Sequence, residues 1–222
     1  MRRDAPIFLL WRAEWRGIFR EPIRLAEVIG FVVLCLLIFT FVSDSLLHAI
    51  APSLMVWVTL VFGSVIFLGR SFDREWGSDG SRVLEGLRQM PGVLAALFWV
   101  RLASNVLVLL CVMGVAMLLV NVTTSPDNPD WMRLSAGPIT LGVLGLTALG
   151  TLFSGAIVMQ ERRELLLPLL VYPLAIPLIL AVSQCLGGIL ATGALDIVWL
   201  KLTAGTALLY VVGALLLFRQ IV

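Results

Sequence analysis

His48 is the one histidine of the 222-residue chain and stands in the stretch SDSLLHAIAP, with Asp44 one turn before it. An imidazole there could serve as an axial haem ligand. No second histidine, Cys-x-x-Cys-His pairing or tryptophan-rich segment accompanies it, and the pattern favours a structural histidine at an interface. Hydrolytic chemistry fares no better, because a Ser-His-Asp set has only this imidazole to draw on. Cys35, Cys111 and Cys185 lie far apart inside apolar runs, match no metal or haem-attachment spacing, and read as small hydrophobes. The only lysine, Lys201, sits between Leu200 and Leu202, so the Gly-Lys-Ser/Thr core that cradles nucleotide phosphates cannot be built. The chain is expected to be non-catalytic.

Recognition by charge is a better prospect. Residues 69–91, GRSFDREWGSDGSRVLEGLRQMP, hold eight of the thirty charged side chains: Arg70, Arg74, Arg82 and Arg88 against Asp73, Asp79, Glu75 and Glu85. A helix over Arg70 to Trp76 would pair Arg70 with Arg74 and Ser71 with Glu75 at i,i+4, which is weak internal support. The segment instead presents Asp73, Arg74 and Glu75 around the apolar groups Phe72 and Trp76, a composition suited to an interface with a soluble protein. Gly77 and Gly80 supply a turn, and Ser81 with Glu85 opens a second short amphipathic piece before Pro91. The plainer alternative is a solvated connector whose charges keep it out of lipid.

Two charges interrupt apolar runs. Arg101 falls about three helical turns after Pro91 and one turn before Asn105. Such a residue is a functional candidate, although snorkelling to a nearby surface explains it more simply than a propionate or lipid-phosphate contact. Glu27, near the start of another run, has the arginines upstream as possible partners. Pro168, Pro173 and Pro177 share one apolar run. Each removes a donor and releases the carbonyl four residues back, so a kinked helix is expected, serving either packing shape or a hinge.

These residues must be positioned by membrane-spanning elements. The composition is 60% hydrophobic and 14% charged with mean hydropathy +1.03, against about 25% charged in a typical soluble domain. Uncharged runs repeatedly reach the roughly 20 residues that cross a bilayer as helix. Six spans are expected: Leu25 to Val42, Ile50 to Gly69, Val93 to Val120, Leu134 to Met159, a fifth from Leu165 opening a run that lasts to Leu195, and Leu202 to Phe218. The fold class is therefore an all-α integral membrane protein, with an interfacial segment over 1–24 and a six-span domain over 25–222. In IFLLWRAEWRGIFREPIR, Trp11, Trp15 and Phe19 fall on one arc while Arg12, Arg16 and Arg20 gather on the other. That is a helix lying in the membrane interface, rings toward acyl chains and guanidinium groups toward anionic headgroups. A cleaved signal peptide ending at Ala49-Ile50-Ala51 is disfavoured by its long charged start and by Pro52 after the cut.

With the N-terminus in the cytoplasm, the cytoplasmic side collects six basic residues before the first span, four in the 70–92 loop, two at 160–164 and one at the C-terminus. The opposite loops hold only Arg133 and Lys201. The positive-inside bias thus places both termini and the charged loop in the cytoplasm.

The run RSFDREWGSDGSRVLEGLRQMP resembles the loop after the second span of ABC-2-type ABC transporter subunits, in Gly80-Ser81, Leu84-Glu85-Gly86-Leu87 and Pro91. Arg82-Val83 intervenes where that pattern has Leu directly. LPLLVYPLAIPLILA (167–181) resembles the fifth span of one branch, haem exporter protein B of cytochrome c maturation, and chain length and the IAPSLMVWVTLV opening of span two agree. The resemblance implies a permease of the bacterial inner membrane that binds no ATP itself. Its partners would be a separate ATPase, a second copy of the chain, further haem-handling membrane subunits and a periplasmic haem chaperone, with lipid around it and no nucleic acid. It makes 70–92 the coupling loop, with Arg70, Phe72, Asp73, Arg74, Glu75, Trp76, Gly77, Asp79, Gly80 and Glu85 at the ATPase interface. By the same analogy the Gly-rich segment 183–196 is expected to re-enter the outer leaflet. Haem would be the cargo, with His48 a weak ligand candidate. An exporter of lipid, drug or polysaccharide would carry a similar loop. A secondary transporter would need midplane charges and internal repeats, which the sequence does not clearly offer.

Overall fold

The computed structural model describes residue 11 and residues 22–46, 52–69, 91–124, 130–157 and 163–221. The described elements are six helices with no strand among them: α1 Pro22–Leu46, α2 Pro52–Gly69, α3 Pro91–Thr124, α4 Trp131–Ile157, α5 Arg163–Thr192 and α6 Ile197–Ile221. Lipid offers backbone groups no partners, so apolar runs of this length close their hydrogen bonds as helix. Three helices open on proline, at Pro22, Pro52 and Pro91, where the missing N–H is one the first turn leaves unpaired anyway. Each of the six apolar runs overlaps a described helix. Among the described residues four stretches are long and apolar enough to cross a bilayer, 96–122, 131–157, 165–192 and 197–218; α1 and α2 contribute shorter apolar stretches, 25–39 and 56–69.

α4 is the central helix and packs against α2, α3, α5 and α6. Its small residues explain the close approach. A Cβ on Gly145 would stand 3.1 Å from the Cα of Ala207 on α6, and one on Gly142 or Gly150 would collide with the Trp57 or Leu68 side chain of α2. Without a hydrophobic drive between helices in lipid, such tight van der Waals contact is what holds them together. These contacts also fix direction: Trp57 meets Gly142 and Leu68 meets Gly150, so α2 and α4 run parallel. Asn121 meets Trp131 and Asn105 meets Thr151, so α3 and α4 run antiparallel. Leu169, Leu174, Ile176 and Leu180 of α5 and Leu208, Leu209, Val212 and Leu216 of α6 are exposed, as lipid-facing residues should be.

The segment 183–196 departs from expectation. It does not re-enter as a separate loop, because α5 continues through Gly187 and Gly188 to Thr192. Burial of Cys185, Leu186 and Ile189 against the bundle outweighs the weak helix propensity of the glycine pair. The stop comes at Gly193, whose φ of 69° only glycine adopts readily and whose N–H donates to the Ile189 carbonyl at 3.0 Å. Asp196 then caps α6, its Oδ1 accepting from the Val198 N–H at 2.8 Å, and the helix starts at Ile197, five residues before the expected span.

Candidate functional site

Most residues singled out from sequence lie outside the described residues: His48, Arg12, Trp15, Arg16, Phe19 and Arg20, and the loop set Arg70, Phe72, Asp73, Arg74, Glu75, Trp76, Gly77, Asp79, Gly80 and Glu85. Trp11 alone of the N-terminal set is described, helical and half-buried. The frame of the loop is nevertheless in place. Gly69 closes α2 and Pro91 opens α3, and the antiparallel course of α3 beside α4 brings both to the end of the bundle where α4 finishes. Gly69 also packs against Leu167 at the start of α5, its hypothetical Cβ 3.2 Å from that side chain.

From this end a chain of contacts leads into the proline-bearing helix. The rings of Phe62 on α2 and Tyr172 on α5 meet edge to face, with centroids 4.9 Å apart at 67°. Tyr172 immediately precedes Pro173. Two residues on, the Leu174 carbonyl accepts a hydrogen bond of 2.5 Å from the Tyr210 hydroxyl of α6. α5 is helical through Pro168, Pro173 and Pro177. Pro173 and Pro177 are exposed, so they fill no hole between helices and their effect falls on the helix that carries them. Sequence reasoning missed Tyr210; the available signal is a phenolic hydroxyl too far from its own backbone to pair there, which must find a partner on another helix.

A second group of buried polar side chains is carried by α3 and α4. Arg101 is only 5% exposed. The sequence favoured a snorkelling side chain, but the structure buries it, because the face of α3 that carries it is the face against the bundle. Asn105, one turn on, donates from Nδ2 to the Thr151 Oγ1 at 3.0 Å. Ser104 on α3 and Thr147 and Ser154 on α4 are buried as well. At the opposite end of the same helix pair, the Trp131 Nε1 donates to the Asn121 Oδ1 at 3.0 Å. Polar groups in apolar helices prefer to face protein, so their presence was legible and their pairing was not. No group of three metal-ligating side chains occurs among the described residues.

A family model described as CcmB protein matches residues 7–218. A comparison with individual curated proteins gives no match. The matched range takes in the N-terminal segment, the charged loop and all six helices to Phe218, and the proline-bearing α5 that carried the resemblance lies within it. The chain belongs to the CcmB family, that of haem exporter protein B, whose members are the membrane component of a haem exporter for cytochrome c maturation.

Proposed function

We propose that this chain is the six-span, ABC-2-type permease subunit of its exporter, and that it transmits motion from a separate ATPase instead of binding nucleotide itself. In this reading the ATPase seats the 70–92 loop as a coupling helix, with Phe72 and Trp76 as anchors and Asp73, Arg74 and Glu75 setting register. The observation that supports the proposal is the placement of the two helix ends that flank the loop, Gly69 and Pro91. The loop joins the ends of α2 and α3, and α2 touches α5 through Phe62 and Tyr172 next to Pro173. A push on the loop therefore acts on the one helix whose backbone ladder is interrupted three times. Exposure of Pro173 and Pro177 supports a hinge over a packing wedge.

Two copies of the chain would face each other beside two ATPase copies, in the inner membrane with both termini cytoplasmic. Haem is cargo handled with neighbouring membrane subunits and passed to a periplasmic chaperone; the lack of ligand sets in this sequence favours transmission over carriage. The chain is then a non-catalytic subunit. Topology gives the first test. A reporter fused after Asp79 should read cytoplasm and one after Asp196 should read outside; an outside signal at Asp79 removes the coupling reading.

A further inference from the structure

Acyl chains form no hydrogen bonds, so a side-chain amide in a spanning helix must face protein or water to be satisfied. Asn105 and Asn121 are satisfied in this way, by Thr151 and Trp131 of α4. Gln184 on α5 is not. It is exposed, and its amide forms no hydrogen bond with another described residue.

The rotation of α5 turns Gln184 away from the rest of the bundle. Leu178 and Val182 pack against the glycine face of α4, the Cys185 thiol and the Thr203 hydroxyl of α6 are hydrogen-bonded, and Tyr172 meets Phe62 of α2. At 100° per residue these contacts fall within one arc of about 140°. Pro173, Pro177, Leu180, Gln184 and Ala191 share the arc opposite Leu178, and all five are exposed. The near surface of the membrane offers the amide no escape. Because Cys185 meets Thr203, Gln184 is level with the second turn of α6, inward of Asp196, Trp199 and Lys201, residues of the kind that mark a membrane boundary. A helical side chain leans toward the N-terminus of its own helix. Since α5 ends at this surface, Gln184 leans away from it, toward the bilayer centre.

A second copy of the chain is the partner whose chemistry fits. Two copies inserted in the same sense are related by an axis along the membrane normal, so a residue near that axis meets its own equivalent at its own depth. A primary amide carries both donors and an acceptor, so two identical amides satisfy each other across such an axis. Two leucines gain no hydrogen bond there, and two like charges repel. Gly187 and Ala191, one and two turns further along α5, carry nothing larger than a methyl, which lets a second backbone come close. Crossings at small residues run at about 40°. The two helices would therefore separate toward Leu169 and leave that end of the face to lipid.

We propose that α5 packs against α5 of a second copy through Gln184, amide to amide about a two-fold axis, with Gly187 and Ala191 at the point of close approach. This pairing rests on two copies facing each other, as proposed above, and needs no coupling to an ATPase. The test uses the whole exporter. The mass of the wild-type assembly counts the copies of this chain. Oxidative cross-linking in native membranes then locates the face: Ala191→Cys should give a disulfide-linked dimer of the chain. Val212→Cys, on the exposed side of α6, should give none, and nor should wild type with its own three thiols. Gln184→Leu suits lipid better than glutamine does, so it should insert and fold normally. It should nevertheless raise the concentration at which the purified assembly falls into single copies, read by mass on dilution in mild detergent. The expected shift is roughly tenfold, two interhelical hydrogen bonds at their average strength in membranes. One copy in the wild-type assembly overturns the two-copy reading and the surface with it. Two copies with no Ala191→Cys dimer, with Ala191→Cys joined to a different subunit, or with a dilution curve unmoved by Gln184→Leu, overturn the surface alone.

Discussion

Trp76 and Phe72 are the apolar anchors proposed for the ATPase groove, and truncating such an anchor costs on the order of 2 kcal/mol, roughly thirtyfold in affinity. Trp76→Ala is therefore expected to release the ATPase or uncouple its hydrolysis while the membrane part still folds, since Trp76 lies outside the apolar runs expected to span the membrane. Reversing a charge at the same surface, Glu75→Lys, should cost less and weaken with added salt. Copurification of the ATPase with both variants at two salt concentrations checks this; full retention and activity in both returns the loop to a solvated connector. His48 belongs to the same scale. His48→Ala should leave cytochrome c assembly largely intact at normal protein level, and near-complete loss would make His48 a ligand. These residues stand out in the sequence because polar and charged groups are scarce in it. Their contacts do not: that Asn105 reaches Thr151, or that Ser154 finds nothing, depends on the relative rotation of two helices, which no local pattern encodes.

Among the elements, α5 and α6 carry the testable joint. Tyr210 donates to the Leu174 carbonyl between Pro173 and Pro177. An interhelical hydrogen bond in a membrane is worth about 0.6 kcal/mol on average, so Tyr210→Phe should barely change the melting temperature of the purified protein. A hinge tied by this bond should respond more strongly in transport than in stability. The expected result is a several-fold change in haem delivery at near-normal protein level, since a fraction of a kcal/mol between two conformers shifts their ratio by about that much. Delivery unchanged within error means the bond is only packing. The helices themselves were legible because lipid leaves an apolar run no alternative to helix. The end of α5 was not, because Gly187 and Gly188 read as a break while Cys185, Leu186 and Ile189 are buried around them and hold the helix together. Asp196, read as loop, is the cap that starts α6 early.

For the whole molecule, the sequence yields the order of helices and the side on which basic residues gather, and the family match over residues 7–218 gives the haem exporter setting. Quaternary arrangement follows from neither, because exposed leucines on α5 and α6 look the same whether they meet lipid or a second copy. The central claim is that this subunit is driven by an ATPase on a separate chain through the 70–92 loop. The direct measurement is purification of the tagged protein from membranes in mild detergent, with the copurifying proteins identified and the mass of the assembly determined. The claim predicts a nucleotide-binding subunit in stoichiometric amount, two copies of it beside two copies of this chain, and its loss with Trp76→Ala. An active assembly that delivers haem with no nucleotide-binding subunit present would contradict it.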